Sequence, residues 1–155
     1  MKQGMKYGNH SDTHPHVNNL SLEKNREQIL SCSEKIEGIT GKKTTLYRGP
    51  YGEYNDTVIN AAKSQNHNTI QWNLDTLDYS GLTGEEMWKR LNSKLVSGSI
   101  ILSHNGTKHT ADSLDMLLTN IENKGFKVVT VSELIYKENY YIDVNGTQRL
   151  QKQEN

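Results

Sequence analysis

Apolar positions recur at helical spacing in five stretches of the chain, and residues that cap or break helices bound these stretches. Ser21 is expected to begin the first helix, which runs to about Thr40 and ends at Gly41. Further helices are expected at about 55–65, 83–96, 110–124 and 132–137. Capping residues mark the starts of three of them: Asn55, a capping box of Thr83 and Glu86, and Ser132.

Short apolar or β-branched runs lie between these helices and predict strands at 45–48, 67–72, 99–102 and 126–131, with one more just before His10. Strands that alternate with helices indicate parallel pairing with the helices outside the sheet. The predicted fold class is therefore α/β, with about five parallel strands that resemble part of a (β/α) barrel. In the C-terminal tail, Asn145–Gly146 is a type I′ turn signal and predicts a β-hairpin.

Composition narrows the function classes. The 155 residues include 18 basic and 18 acidic side chains, so charge gives no support for binding to nucleic acid or to an anionic membrane. The hydrophobic fraction of 33% is low, which is typical of a very polar surface or of an incomplete core. Cys32 is the single cysteine, so an intrachain disulfide and a Cys-based zinc site are excluded. No stretch reaches the ~18 apolar residues of a membrane span, and we recognise no signal or anchor segment.

Three histidines, at positions 10, 14 and 16, lie within seven residues. Imidazole is the commonest zinc ligand in proteins, and Pro15 favours a loop over a continuous helix through the cluster. A zincin protease needs a Glu at the second position of His-x-x-x-His, and Ser11 stands there instead. A polar surface loop remains the alternative to a metal site.

Polar side chains follow the ends of several predicted strands: His10 and His14, Arg48, Asp75 and Asp78, and His104. In barrel-like α/β folds, the carboxyl ends of parallel strands lie at one rim, and catalytic groups are assembled there. We therefore expect these side chains to share a site at one rim.

Four motifs then point to a family. The motif His-Ser/Thr-x-x-His matches residues 10–14, Arg-x-Pro-Tyr-Gly matches 48–52, Asp-x-x-Asp-Trp matches 75–79 with Tyr79 where Trp is usual, and Leu-x-His matches 102–104. In order and spacing, residues 8–134 resemble the polysaccharide deacetylase family (NodB homology, carbohydrate esterase 4). Within this family, the residues in and around the motifs are most similar to those of clostridial sporulation-type peptidoglycan deacetylases.

The resemblance implies a metal-dependent enzyme that hydrolyses the N-acetyl group of a polysaccharide and releases acetate. The expected substrate units are N-acetylglucosamine or N-acetylmuramic acid, in peptidoglycan. The expected metal is Zn²⁺, with Co²⁺ or Ni²⁺ as alternatives, and the implied ligands are His10 and His14. Family members work outside the cell or in its envelope, so the same location is expected here.

The resemblance also implies roles for the remaining motif residues. His104 would protonate the leaving amine, and Asp75 would orient His104. The backbone N–H of Tyr51, beside Pro50, would help to stabilise the oxyanion, and Asp78 would contribute to substrate binding. Arg48 would orient a carboxylate that acts as general base.

One family motif is missing from the sequence. Family members carry Thr-Phe-Asp-Asp-Gly on their first strand, which supplies the base and a third metal ligand, but no Asp-Asp pair occurs here. We therefore expect a deacetylase domain over residues 1–137 that lacks its N-terminal part, and a tail over 138–155. Without the missing base and metal ligand, this chain alone is expected to be inactive. Two alternatives to an active enzyme stay open: an inactive fragment that binds metal or glycan weakly, and a structural fragment that pairs with another chain, or a second copy, through an exposed sheet edge.

Overall fold

A computed structural model describes residues 5–151, and these separate into two units between Gln71 and Trp72. We refer to them as the N-terminal unit and the C-terminal unit and describe each by itself. The predicted strand just before His10 forms no strand among residues 5–9, where Asn9 makes a single parallel bridge instead. Residues 1–4, and residues 152–155 of the predicted tail, lie outside the described residues.

The N-terminal unit holds two helices and two short strands: α1 (Leu22–Thr40), β1 (Leu46–Tyr47), α2 (Asp56–Ser64) and β2 (Asn68–Thr69). Strands β1 and β2 are parallel, and Asn9 forms an isolated parallel bridge with Tyr47 on β1. Short 3-10 turns lie at Val17–Asn19 and Pro50–Gly52. The predicted parallel pairing is therefore confirmed in this unit.

Helix α1 starts and ends where its sequence signals lie. The hydroxyl of Ser21 accepts a hydrogen bond from the backbone N–H of Lys24, and Gly41 ends the helix with a φ of 69°. Helix α2 likewise begins at Asn55, whose side chain accepts from the N–H of Val58. Both helices pack on a core of fully buried side chains: Val17, Ile29, Tyr47, Val58, Ala61 and Ala62.

The C-terminal unit contains β3 (Leu74–Asp75), α3 (Gly84–Asn92), β4 (Ile101–Leu102), α4 (Thr110–Asn123), α5 (Val131–Leu134), β5 (Tyr140–Ile142) and β6 (Gln148–Leu150). Strands β3 and β4 are parallel, whereas β5 and β6 form the predicted antiparallel hairpin around Asn145–Gly146. The core consists of Leu74, Met87, Leu91 and Leu117. The predicted Thr83–Glu86 capping box begins α3.

Two predictions in this unit were wrong. The predicted strand at 126–131 is absent from the described part of the chain: residues 126–130 pair with no other strand, and Val131 begins the last helix. A short apolar run does not by itself specify a partner strand. The last helix is capped by Thr130 rather than Ser132, since Thr130 and Glu133 complete a reciprocal capping box. Among the described residues, no helix is both long and apolar enough to cross a membrane.

Candidate functional site

The imidazoles of His10 and His14 converge in the loop that follows the bridge residue Asn9. We call this segment, residues 10–16, the histidine loop. The backbone N–H of Asn9 donates to Leu46 (2.8 Å), and its carbonyl accepts from the N–H of Arg48 (3.0 Å), so the start of the loop is fixed to β1. The loop then turns sharply, because Ser11 and His14 adopt positive φ angles of 65° and 56°. As a result, the two ring centroids lie 5.0 Å apart at an interplanar angle of 76°.

The hydrogen bond of His10 defines which ring nitrogen can act as a ligand. Nδ1 lies 2.5 Å from the carbonyl oxygen of Arg48, and a carbonyl oxygen can only accept. Nδ1 therefore carries the proton, and the lone pair of the neutral ring is on Nε2. An imidazole oriented by a backbone carbonyl in this way is the arrangement in which metal-binding histidines are usually found.

A buried hydrogen-bond network joins the start of the loop to helix α1. The amide of Asn9 donates to the carbonyl of Ile29 (2.7 Å) and to the hydroxyl of Ser33 (2.8 Å), and its oxygen accepts from the N–H of Ser11 (3.0 Å). The network extends further: the hydroxyls of Ser33 and Thr44 are hydrogen-bonded at 2.9 Å, and the Thr44 hydroxyl is hydrogen-bonded to Nε2 of His67 at 2.8 Å. We assigned no role from sequence to either Asn9 or His67, since this network joins residues far apart in the chain.

The next motif forms a tight turn after β1. Pro50 is buried and begins the 3-10 turn, and Tyr51 has a left-handed backbone (φ 56°, ψ 12°) that presents an exposed ring. A Cβ at Gly49 would collide with the carbonyl oxygen of Glu53, so glycine is needed there. Arg48 is half-buried, and burial lowers the pKa of its guanidinium. The predicted roles of Arg48, Pro50 and Tyr51 stay predictions.

Tyr51 is held by the histidine loop. The ring of His16 stacks on the Tyr51 ring at a centroid distance of 4.2 Å, and the His14 ring meets it edge-on at 4.8 Å. His16 in turn contacts Glu53, with 2.6 Å between Nδ1 and Oε1. The hydrogen bond from His16, with others from the backbone, lowers the pKa of the Glu53 carboxyl. Two of the three clustered histidines, His14 and His16, thus contact the aromatic ring.

In the C-terminal unit, the buried carboxylate of Asp78 holds the candidate histidine His104 in place. Asp78 accepts from Nδ1 of His104 (2.8 Å) and from the backbone N–H of His104 (2.5 Å). The hydroxyls of Ser103 and Thr110 donate to the same carboxylate at 2.9 and 2.8 Å. Burial alone would raise the pKa of Asp78, but these hydrogen bonds outweigh it and hold the pKa well below its ordinary value of 3.8.

This geometry corrects two predictions. Asp75 does not orient His104, because its carboxylate accepts from the backbone N–H of Leu77 (2.8 Å) and caps the turn. Asp78 performs the orienting role instead. Asp78 is also only 2% exposed, so its carboxylate is enclosed by donors rather than presented to a substrate. Leu77 has a left-handed backbone (φ 52°), and this turn directs the chain from one aspartate to the other.

The donor chemistry of the histidine loop fits part of a zinc site. His10 and His14 supply two imidazoles, and a tetrahedral site needs two more ligands. Asp12 lies between them in the sequence, but its carboxylate pairs with the Lys35 ammonium at 2.5 Å. Within residues 5–151, no group of three or more His, Cys, Asp or Glu side chains is placed to hold a metal ion. The two imidazoles therefore fit as two ligands of such an ion.

Comparisons with known proteins agree with the motifs. The family model described as Polysaccharide deacetylase matches residues 1–70. The Bacillus subtilis protein named Uncharacterized protein YlxY is 35% identical over 134 residues, and the peptidoglycan-N-acetylmuramic acid deacetylase PdaC of the same species is 31% identical over 134 residues. A CE4 family pseudoenzyme from Bacillus anthracis has a crystal structure with a TM-score of 0.79 and 33% identity.

These matches cover most of this chain but only part of each relative. The alignments span 86% of this chain and 42% of YlxY, and 86% of this chain and 28% of PdaC. The pseudoenzyme covers 82% of this chain, which corresponds to 45% of its own length. The chain thus spans less than half of each of these relatives. The structural likeness confirms the predicted α/β fold class as that of the carbohydrate esterase 4 proteins.

Proposed function

Because the chain belongs to the polysaccharide deacetylase family, a family of hydrolases, we propose that it serves the removal of N-acetyl groups from peptidoglycan. The reaction adds water across the amide of an N-acetylglucosamine or N-acetylmuramic acid unit, so that acetate leaves and the sugar keeps a free amine. The observation that carries this proposal is the convergence of the His10 and His14 imidazoles, with the His10 lone pair directed to Nε2 by a backbone carbonyl.

The histidine loop would hold a divalent metal ion, with Zn²⁺ preferred and Co²⁺ or Ni²⁺ as alternatives. His10 binds through Nε2, and His14, which is exposed, supplies the second imidazole. Such an ion, when bound, supplies an activated water and polarises the amide carbonyl. The remaining steps depend on groups that move or hold a proton and on groups that bind the developing charge.

His104 is proposed to donate a proton to the nitrogen of the leaving amine. Its Nδ1 donates to Asp78, so the other ring nitrogen is the one that exchanges a proton with the substrate. Asp78 keeps the ring in one orientation through bonds to both the ring and the backbone of His104. This role rests on the family resemblance and is supported by the enclosed carboxylate.

Tyr51 and Arg48 are proposed to act on the substrate amide and on the base. Tyr51 lies in a tight turn with a left-handed backbone, and we propose that its backbone N–H binds the oxyanion. Arg48 would orient a general-base carboxylate of the kind that the family motif Thr-Phe-Asp-Asp-Gly supplies. The printed sequence contains no Asp-Asp pair, so this partner is not identified here.

A second candidate function is binding without turnover. Two observations favour it: the similar fold of a CE4 family pseudoenzyme, and the presence of only two converging imidazoles among residues 5–151. In this case, the chain would bind metal or an N-acetylated glycan weakly and release no acetate. Under either function, the proposed location is the cell envelope or the extracellular space, where peptidoglycan is found, and a sporulation-specific role is a further proposal.

The test measures acetate release from N-acetylglucosamine oligomers and from peptidoglycan with added Zn²⁺ or Co²⁺. It uses the 155-residue chain and, in parallel, the polypeptide that the whole reading frame encodes, with light scattering to report self-association. His14→Ala should abolish release, whereas His109→Ala, outside the proposed machinery, should leave it unchanged. Glycan or zinc binding without acetate from either polypeptide would establish the second candidate. Release that survives His14→Ala would contradict the proposed site.

A further inference from the structure

Helix α1 holds the middle of the histidine loop through one side chain amide. The Oε1 atom of Gln28 accepts from the backbone N–H of Asp12 (3.0 Å) and from the backbone N–H of Thr13 (2.9 Å). The hydroxyl of Thr13 also donates to it, at 3.3 Å. A single oxygen thus gathers donors from two consecutive residues between the two imidazoles. Only an acceptor can do this, so the orientation of the amide is fixed by its partners.

A second α1 side chain contacts the same stretch. Lys35 pairs with the carboxylate of Asp12, and it lies seven residues, or about two helical turns, after Gln28. Gln28 and Lys35 therefore share one face of α1. Through this face, the helix binds the backbone of the loop with an amide and pairs the Asp12 carboxylate with an ammonium.

The loop needs such external support because its backbone is unfavourable. Ser11 and His14 both have left-handed φ angles, which residues with a Cβ rarely adopt. The ends of this turn are held by the Asn9 amide, which binds Ser11, and by the Ser11 hydroxyl, which accepts from the N–H of His14 at 3.0 Å. Asp12 and Thr13 lie between these fixed points, and Gln28 binds their backbone.

We infer that Gln28 is a positioning residue for the His10–His14 imidazole pair. Its amide oxygen keeps the peptide groups between the two histidines in the conformation that brings their rings together. Its effect on metal affinity rests on the proposed function, in which this pair binds the metal ion. Its effect on the loop itself does not, because that depends only on the hydrogen bonds to Asp12 and Thr13.

The variants separate the acceptor from the bulk of the side chain. Gln28→Met keeps a similar length but has no strong acceptor, so both backbone N–H groups lose their partner. Gln28→Glu keeps an oxygen in the same place and should restore the bonds. Glu27→Met is the matched control, since Glu27 is next to it on α1, is exposed and pairs with Lys24 rather than with the loop.

Two readouts are measured on the whole chain: hydrogen exchange of the Asp12 and Thr13 amides by NMR, and Zn²⁺ affinity by calorimetry. Gln28→Met should speed exchange at these two amides about tenfold or more and weaken Zn²⁺ binding about tenfold, the low end of the range for groups that orient ligands. Gln28→Glu should return both readouts to within about threefold of the parent. Glu27→Met should change neither. Exchange elsewhere in α1 should be unaffected by all three.

The outcomes divide clearly. Unchanged exchange at both amides in Gln28→Met overturns the inference, and so does a uniform rise across α1, which would indicate a merely structural role. Failure of Gln28→Glu to restore exchange also overturns it. If the parent chain binds no Zn²⁺, the metal role of the proposed function fails, while the exchange data still decide whether Gln28 positions the loop.

Discussion

His10 in the N-terminal unit and His104 in the C-terminal unit are both oriented through Nδ1, but their partners differ. His10 donates to a backbone carbonyl, a neutral acceptor, whereas His104 donates to the buried carboxylate of Asp78. A neutral acceptor leaves the imidazole suited to act as a metal ligand through Nε2. A carboxylate can stabilise a ring that gains and loses a proton. The comparison teaches that two histidines held through the same ring atom can differ in the charge of their partner, and that the charged partner favours proton transfer.

The two supports also differ in how they are distributed. The histidine loop is held by several separate neutral contacts, from Asn9, Gln28 and the backbone of β1. His104 depends on one carboxylate, which also binds Ser103 and Thr110. A single substitution should therefore damage the C-terminal unit more than the N-terminal one.

The largest effect is expected from Asp78→Asn. The amide keeps the shape but loses the charge and one acceptor, so several buried donors lose their partner. We expect the C-terminal unit to lose about 3 kcal/mol of unfolding free energy. Denaturant unfolding followed by the fluorescence of the tryptophans, both of which lie in this unit, measures it. Asp75→Asn is the control and should cost under about 1 kcal/mol, because its remaining oxygen can still accept from Leu77.

The same carboxylate predicts an acid dependence. The pKa of Asp78 is lowered in the folded unit, whereas the unfolded chain titrates near the ordinary value of 3.8. As pH falls below 3.8, the unfolded state gains a proton that the folded state does not, so stability present above 3.8 is lost. Asp78 should add up to about 1.4 kcal/mol per pH unit to this slope, and that contribution should be lost in Asp78→Asn. An unchanged slope in that variant would assign the acid sensitivity to other carboxyls.

A smaller effect is expected from Asn9→Ala in the N-terminal unit. The variant removes hydrogen bonds to Ile29, Ser33 and the N–H of Ser11, but β1 and Gln28 still hold the loop. We expect a loss of about 2 kcal/mol in unfolding free energy. Urea titration monitored by NMR of the N-terminal unit measures it. A loss larger than that of Asp78→Asn would reverse the comparison between the two supports.

Metal binding sharpens the difference between the two histidines. Zn²⁺ should bind weakly, with a Kd above about 1 μM, since two imidazoles complete only half of a tetrahedral site. His10→Ala should weaken binding at least tenfold, about 1.4 kcal/mol, whereas His104→Ala should have no effect. Calorimetric titration decides between them. Sub-micromolar binding lost in His10→Ala would mean that other ligands complete the site, and equal losses in both variants would remove the distinction.

The smallest effect concerns His67. Burial lowers its pKa below 6.5 in the folded unit, although the hydrogen bond to Gln65 opposes this. Its contribution to stability is complete above pH 6.5 and is lost as the pH falls below 6.5 towards the folded value, because the unfolded chain binds the proton first. His67→Gln should remove this slope and cost less than about 1 kcal/mol at pH 8. Thermal unfolding across pH 5 to 8 measures it, and a slope that persists in the variant would point to another group.

The sequence predicted those features that local signals encode. The bounds of α1 and α2 follow from Ser21, Gly41 and Asn55, and the motif residues were identified individually. It could not predict which of Asp75 and Asp78 binds His104, because that depends on a left-handed turn at Leu77 and on β3 lying beside β4. Gln28 was missed for a similar reason, since its partners lie about fifteen residues earlier and are backbone groups with no sequence signature.

At position 51, the residue that best suits the left-handed backbone differs from the residue that is proposed to contact the substrate. A residue with a side chain in this left-handed conformation costs about 1 kcal/mol, which glycine would not. A library randomised at position 51 and selected only for heat resistance should therefore enrich glycine or asparagine. The same library selected for glycan recognition should keep an aromatic ring, because His14 and His16 both contact it. Sequencing the two selected pools would show whether thermostability and recognition favour different residues here.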